Sequence, residues 1–200
     1  MTGRTDPRVA RTVRAFEQAV VELASQRPVS RISVAELADR AGVTRATFYN
    51  RYSTPLDPLV QVLRADLKRR QGLAEHRVRE GHPPAELLRL ATAEIADHVE
   101  DFRPVYELSL QDPADSGVYG ALVRHFDDYA RAFMEDRAPV GLPEANRHVI
   151  AQFVAHGFAG AIRAWLGDPA ISKDEMVEAA VACAPAWWTT RHRPRTGSGG

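Results

Sequence analysis

Apolar residues recur along this chain at three- and four-residue steps, and that spacing predicts helix. Val13, Phe16, Val20 and Leu23 form the first stripe, with Arg11, Arg14, Glu17 and Glu22 on other faces. It predicts an amphipathic helix of about five turns, ended by Arg27-Pro28. Ser33 and Glu36 stand at capping-box spacing, so a short second helix is expected over 34–41, with Gly42 closing it. Thr44 stands where an N-cap opens a third short helix. Leu59, Val60, Leu63 and Leu67 predict a fourth, starting at Pro58 with Asp57 as its cap and running to Arg79. Further helices are expected over 85–100, 103–110, 113–136, 144–166 and 172–188. The separators are turn chemistry: Pro83-Pro84, Pro104, Asp112-Pro113, Pro139 to Pro143, and Gly167-Asp168-Pro169. No strand-like alternation and no internal repeat interrupts this pattern.

The expected fold is therefore all-α with about nine helices. Residues 1–54 read as a three-helix helix-turn-helix domain, and 55–190 as a larger helical domain for effector binding and dimerisation. The basic, then Gly/Ser-rich tail over 191–200 is expected to be disordered. At 200 residues and 44% apolar composition, the chain can bury a sizeable core. A single cysteine, Cys183, excludes a disulfide framework or a Cys-rich zinc site within one chain. The N-terminus has no apolar signal core, and no uninterrupted apolar run approaches the ~20 residues of a bilayer span. A cytoplasmic protein without a membrane partner, cofactor or metal is expected.

Net charge is zero, but its distribution is uneven. Residues 1–54 hold nine arginines against five acids, a net +4, whereas 55–190 carry −7. A basic first quarter on an acidic body suits an anionic polymer bound at one end. Short helix, Gly turn, short helix is also the helix-turn-helix arrangement. On the second of these helices Phe48 points inward, with Tyr52 one turn later on the same side. Arg45, Ala46, Thr47, Tyr49, Asn50 and Arg51 are left outward or flanking. Arg45 can reach guanine O6 and N7, and Asn50 can pair with adenine or a phosphate. Ala46 and the Thr47 methyl suit close approach to thymine. Tyr49 and Arg51, with the helix-start amides near Ser33 and Thr44, suit phosphate oxygens.

The run S-V-A-E-L-A-D-R-A-G-V-T-R-A-T-F-Y-N-R-Y, over 33–52, closely resembles the DNA-binding segment of the TetR/AcrR family of bacterial transcriptional regulators. The resemblance is specific over 12–60; beyond it, only length and helical character agree. It implies that Arg45, Ala46, Thr47, Tyr49, Asn50 and Arg51 face DNA while Phe48 and Tyr52 are core. The family usually continues with a lysine that contacts phosphate at the start of the fourth helix. Pro55 stands there in this chain, which puts that contact in doubt.

Two C-terminal segments are apolar on more than one face, so each needs burial both within its subunit and elsewhere. Val149, Phe153, Gly157, Gly160, Ala161, Met176, Val177, Ala180, Val181, Ala184 and Trp188 are the expected homodimer interface. The resemblance implies a four-helix bundle there, and two reading helices set about one DNA turn apart on a palindromic operator. It also implies an effector pocket in the middle of the chain. His98, Phe102, Tyr106, Phe126, Tyr129, Phe133, Phe153, His156 and Trp165 are its candidate lining, each also compatible with ordinary core packing. Such a lining suits a small, largely hydrophobic ligand. The expected function is a ligand-responsive repressor. The same fold controlled by a protein partner, or acting without a small-molecule effector, is the alternative. A helical enzyme finds no support, because the chain lacks His-x-x-x-His, Glu-x-x-His and any nucleophile–base pair.

Overall fold

A computed structural model describes residues 7–79, 82–137 and 143–189. Among these residues there are ten α-helical segments and no strand. They are α1 (Pro7–Ala24), α2 (Val34–Arg40), α3 (Arg45–Tyr49), α4 (Leu56–Arg79), α5 (Pro84–Asp101), α6 (Arg103–Gln111), α7 (Ser116–Arg137), α8 (Glu144–Gly167), α9 (Lys173–Ala182) and α10 (Ala186–Thr189). Short 3-10 turns at Val29–Arg31 and Pro113–Asp115 precede α2 and α7. The expected tail over 191–200 lies outside the described residues. The chain divides into two compact units, Met1–Lys68 with His98–Leu122, and Arg69–Asp97 with Val123–Gly200. The expected first domain lies wholly within the first unit, which reaches further and takes in α6 as well.

In the first unit α1 buries Phe16, Ala19, Val20, Leu23 and Ala24, the face its stripe predicts, and packs against α2 and α6. Phe16 meets Phe48 edge-on at 5.4 Å and Tyr52 at 5.8 Å, fastening α3 to α1. Edge-to-face pairs of this kind add about 0.5–1.5 kcal/mol beyond the area they bury. Three expectations change here. At α2 the Ser33 hydroxyl accepts the Glu36 amide at 3.2 Å, but the reciprocal half of the capping box is missing because the Glu36 carboxylate pairs with Arg27. Helix α4 begins at Leu56 rather than Pro58. Asp57 lies inside its first turn and reaches back to accept the Ser53 and Thr54 amides at 2.7 and 2.8 Å. The segment expected as one helix from Pro113 starts with the 3-10 turn, where Asp112 accepts the Ala114 amide at 3.0 Å.

In the second unit α8 packs against α9, and Ala151, Val154, Ala155, Phe158, Ala159, Ile162 and Trp165 are buried. Helix α9 opens on a complete capping box. Ser172 accepts the Glu175 amide, and the Glu175 carboxylate accepts both the amide and the hydroxyl of Ser172. Those two bonds to Ser172 hold the Glu175 carboxyl below its usual range. The helix expected to run unbroken to Trp188 stops at Ala182. Pro185 has no N–H to donate and its ring clashes with the preceding turn, so the chain restarts as the single-turn α10. Over Asn146–Gly167, α8 is long and apolar enough by length and composition to cross a membrane, with 39% of its most apolar window buried. Incomplete burial leaves an apolar face uncovered: Val149 and Phe153 are 66% and 77% exposed.

Candidate functional site

The corner between α2 and α3 is a complete Schellman turn. Gly42 sits at φ +67°, its amide donates to Asp39 C=O, and the Val43 amide donates to Ala38 C=O, each at 3.0 Å. Glycine is the residue that reaches this left-handed conformation without a Cβ clash. Thr44 then caps α3, accepting the Thr47 amide at 3.2 Å, with the two threonine hydroxyls 2.9 Å apart. The amides of Arg45 and Ala46, at the first turn of α3, have no partner within the helix and point outward from its start.

Behind α3, Phe48 is fully buried and Tyr52 nearly so. Burial raises the Tyr52 hydroxyl above its ordinary pKa, with nearby Glu17 adding to the shift. In front, Arg45, Ala46, Tyr49, Asn50 and Arg51 are exposed, and Thr47 is half-buried against its cap. The positive charge of the first quarter also sorts itself. Arg27 pairs with Glu36, Arg40 with Glu22 at 2.7 Å, and Arg31 with Asp112 at 3.7 Å. Among the described residues, Arg45 and Arg51 have no acidic partner. Arg45, on α3, and Arg51, just past its end, thus flank the exposed Tyr49 as cations without an acidic partner.

The nine candidate pocket residues do not converge. His98, Phe102 and Tyr106 belong to the first unit. His98 is completely buried, with Nδ1 2.8 Å from Asp66 Oδ2 and Nε2 2.8 Å from Tyr106 Oη. A carboxylate only accepts, so Nδ1 carries a proton, and in the neutral ring Nε2 accepts from the tyrosine hydroxyl. Burial, with Asp66 nearby, pushes the Tyr106 pKa far above its ordinary value. This chain of bonds ties α4, α5 and α6 together as a polar core, and Phe102 packs on the His98 ring. These residues hold the first unit together and do not line a pocket in the second.

The second unit has its own small cavity, about 30 Å³ with Trp188 in place and partly open to solvent. Of the nine candidates, Phe126 and Tyr129 line it. Phe158, Trp188, His125, Leu88, Thr92 and Arg70 also contribute. Phe133 stacks on Trp188 instead, Trp165 is buried away from the lining, and Phe153 and His156 are exposed. Exposure turns Phe153 from a lining residue into a surface one. Sequence reasoning missed Arg70, although it continues the Leu63–Leu67 stripe of α4 as a charge on an apolar face. Arg70 is nearly buried and lies 3.7 Å from Glu94. Trp188 was placed on the expected interface, and the break at Pro185 is what turns it toward the cavity.

Among the expected interface residues, Met176, Val177, Ala180 and Trp188 are buried within the chain itself. The apolar side of α9 is used internally, on α8. Val149, Phe153 and Gly157 are exposed on α8, with Gly160 and Ala161 half-buried. A Cβ added at Gly157 or Gly160 would meet nothing within 4 Å.

Residues 18–54 match the model of the bacterial regulatory proteins of the tetR family. Among curated proteins, none matches the chain by sequence. Solved structures share its fold at low identity. A tetR-family transcriptional regulator from Streptomyces coelicolor is 17% identical, with 85% of this chain and 77% of that one covered and a TM-score of 0.57. Thermus thermophilus FadR, a TetR-family repressor in complex with lauroyl-CoA, is 19% identical, with 94% and 100% covered and a TM-score of 0.63. RolR in complex with resorcinol is 18% identical, with 88% of each chain covered and a TM-score of 0.61.

Proposed function

We propose that this chain, whose residues 18–54 match the tetR-family model, is a ligand-responsive, DNA-binding transcriptional repressor of that family. One observation carries this reading. Helix α3 is held from behind by Phe48 and Tyr52, and in front it and the turn after it present Arg45, Ala46, Tyr49, Asn50 and Arg51, with no acidic partner for either arginine among the described residues. Arg45 and Asn50 supply base-edge contacts, while Tyr49, Arg51 and the first-turn amides of α2 and α3 supply phosphate contacts. Ser33 and Thr44 act indirectly, because their side chains are already engaged as caps. The helix-four lysine of the family pattern has no counterpart at Pro55, so phosphate anchoring falls on Tyr49, Arg51 and the amides at the starts of α2 and α3.

The protein acts in the cytoplasm as a homodimer on a palindromic operator, and the exposed α8 stripe around Val149, Phe153 and Gly157 supports the pairing. A small effector bound in the second unit shifts the reading heads away from operator spacing. It does so only to the extent that it binds one conformation better than the other. Neighbours of this fold that bind lauroyl-CoA or resorcinol support a small-molecule effector in preference to a protein partner or an enzymatic role. The test is fluorescence anisotropy with duplexes carrying the promoter upstream of the protein's own gene. Specific binding should fall steeply with salt, as phosphate contacts require. The pair Arg45→Ala and Tyr49→Ala should reduce it at least about tenfold. Unchanged affinity in that pair would remove α3 as the reading surface.

A further inference from the structure

Trp188 is 2% exposed although it stands on a four-residue helix cut off from α9 at Pro185. Its indole stacks on Phe133 at 4.7 Å and 24°, and lies within 13° of parallel to Tyr129 at 6.2 Å. The same ring walls the cavity with the Phe126–Phe158 pair, whose centroids are 5.4 Å apart. The turn that carries it is closed locally. The Trp188 amide donates to Pro185 C=O at 2.8 Å, and the Thr189 hydroxyl to Ala186 C=O at 3.1 Å. A large flat ring on a short segment set off by Pro185 thus forms one wall of an aromatic cavity.

The lining also restricts what such a cavity holds. Arg70 and Glu94, 10% and 14% exposed, lie 3.7 Å apart and cancel each other's charge. A charged guest would be desolvated beside a pair that is already balanced, which costs more than its attraction to either member returns. A neutral flat ring meets no such cost, and gains on Tyr129 and Phe133 the same stacking the indole has now.

We propose that Trp188 is a displaceable plug, and that the effector is a neutral, flat aromatic of indole size that takes its place. Helix α10 swings out about the Pro185 break, and the guest stacks on Tyr129 and Phe133 beside Phe126 and Phe158. The inference rests on the second unit being the effector-binding part, and adds to it the ligand class and the entrance. Because the guest binds the open form, apparent affinity is reduced by the fraction of chains that are open.

The probe is indole itself, titrated into the full chain carrying 5-fluorotryptophan at its three tryptophans. The fluorine signal of Trp188 is assigned by its absence in Trp188→Phe. Indole should bind saturably and move the Trp188 signal toward that of free 5-fluorotryptophan, while Trp165 stays in place. Trp188→Ala, which has no plug to expel, should bind indole about tenfold or more tightly. The wild-type titration decides even if that variant folds poorly. The proposal is overturned by no saturable binding of indole to the wild-type chain, by binding with an unmoved Trp188 signal, or by tighter binding of dodecanoate than of indole. Operator release is followed separately by gel shift. Indole that displaces Trp188 without releasing DNA would count against effector control and leave the plug standing. A ligand that releases DNA with Trp188 still buried would do the reverse.

Discussion

Asp115 accepts the backbone amide of Val29 at 2.7 Å from 86 residues further along the chain, and with its other oxygen the amide of Ser30 at 2.8 Å. The carboxylate is 1% exposed, so it serves as a buried cap for the 3-10 turn between α1 and α2. Hydrogen bonds to a charged group are each worth about 1.5–3 kcal/mol, and a buried amide left unmatched costs a similar amount. Asp115→Ala should therefore destabilise the chain by about 2–4 kcal/mol in urea unfolding, with faster hydrogen exchange at Val29 and Ser30. Asp115→Asn keeps one accepting oxygen and should lose less. Equal stability of wild type and Asp115→Ala would mean that the turn does not need its distant cap.

Gly42 has open space around its missing Cβ, so the penalty for a side chain there is one of backbone conformation alone. Holding an L-residue in the left-handed region costs about 1–2 kcal/mol. Gly42→Ala should lower stability by that amount, and operator affinity should fall with it as the angle between α2 and α3 relaxes. A circular-dichroism melt and an anisotropy titration of the same sample check both.

Tyr106 gives the fold a sensitivity to alkali. Its folded-state pKa is raised, so the folded chain keeps a proton that the unfolded chain releases as pH passes about 10. The stability from this difference is fully present below pH 10 and is lost as pH rises beyond it, by up to about 1.4 kcal/mol per pH unit. Tyr52 is shifted in the same direction and adds to the trend. Urea midpoints from pH 8.5 to 11.5 should fall more steeply for wild type than for Tyr106→Phe. At pH 8 the variant should already be weaker by about 1–3 kcal/mol, because His98 Nε2 loses its donor.

Phe153, 77% exposed at the centre of the α8 stripe, should be an anchor of the homodimer. Phe153→Glu places a charge where two apolar faces would meet. Loss of an interface hot spot of about 2 kcal/mol raises the dissociation constant about 30-fold, and the charge adds to that. Sedimentation equilibrium should show monomer at concentrations where the wild type is dimeric. An unchanged mass would move the interface elsewhere.

What could be read from the sequence follows the range of the forces involved. The α1 stripe, the Gly42 corner and the Thr44 cap are set by residues within a turn or two of one another, and they stand where spacing and capping chemistry placed them. The start of α4 was misread because Asp57 looks like a cap ahead of Pro58, whereas its carboxylate reaches back over Thr54 from inside the helix. Pro185 marks the break after Ala182, inside an apolar run that otherwise reads as one helix. The pocket was the least legible. Nothing local marks His98 as the partner of Asp66, 32 residues earlier, or Tyr106 as the donor to its other nitrogen. Nor does anything local show that Arg70, on an otherwise apolar face, meets Glu94.

The way α3 is mounted separates two kinds of change. The Schellman turn, the Thr44 cap and the Phe48–Tyr52 pair hold the helix through its ends and its back. Positions 45, 46, 50 and 51 contribute little to that hold, whereas Tyr49, though exposed, also meets Phe48 edge-on at 5.6 Å. They form a short cassette that can be rewritten without rebuilding what carries it. On the proposed reading surface, a new operator preference would arise by substitution at these few surface codons, while selection on folding acts elsewhere in the chain.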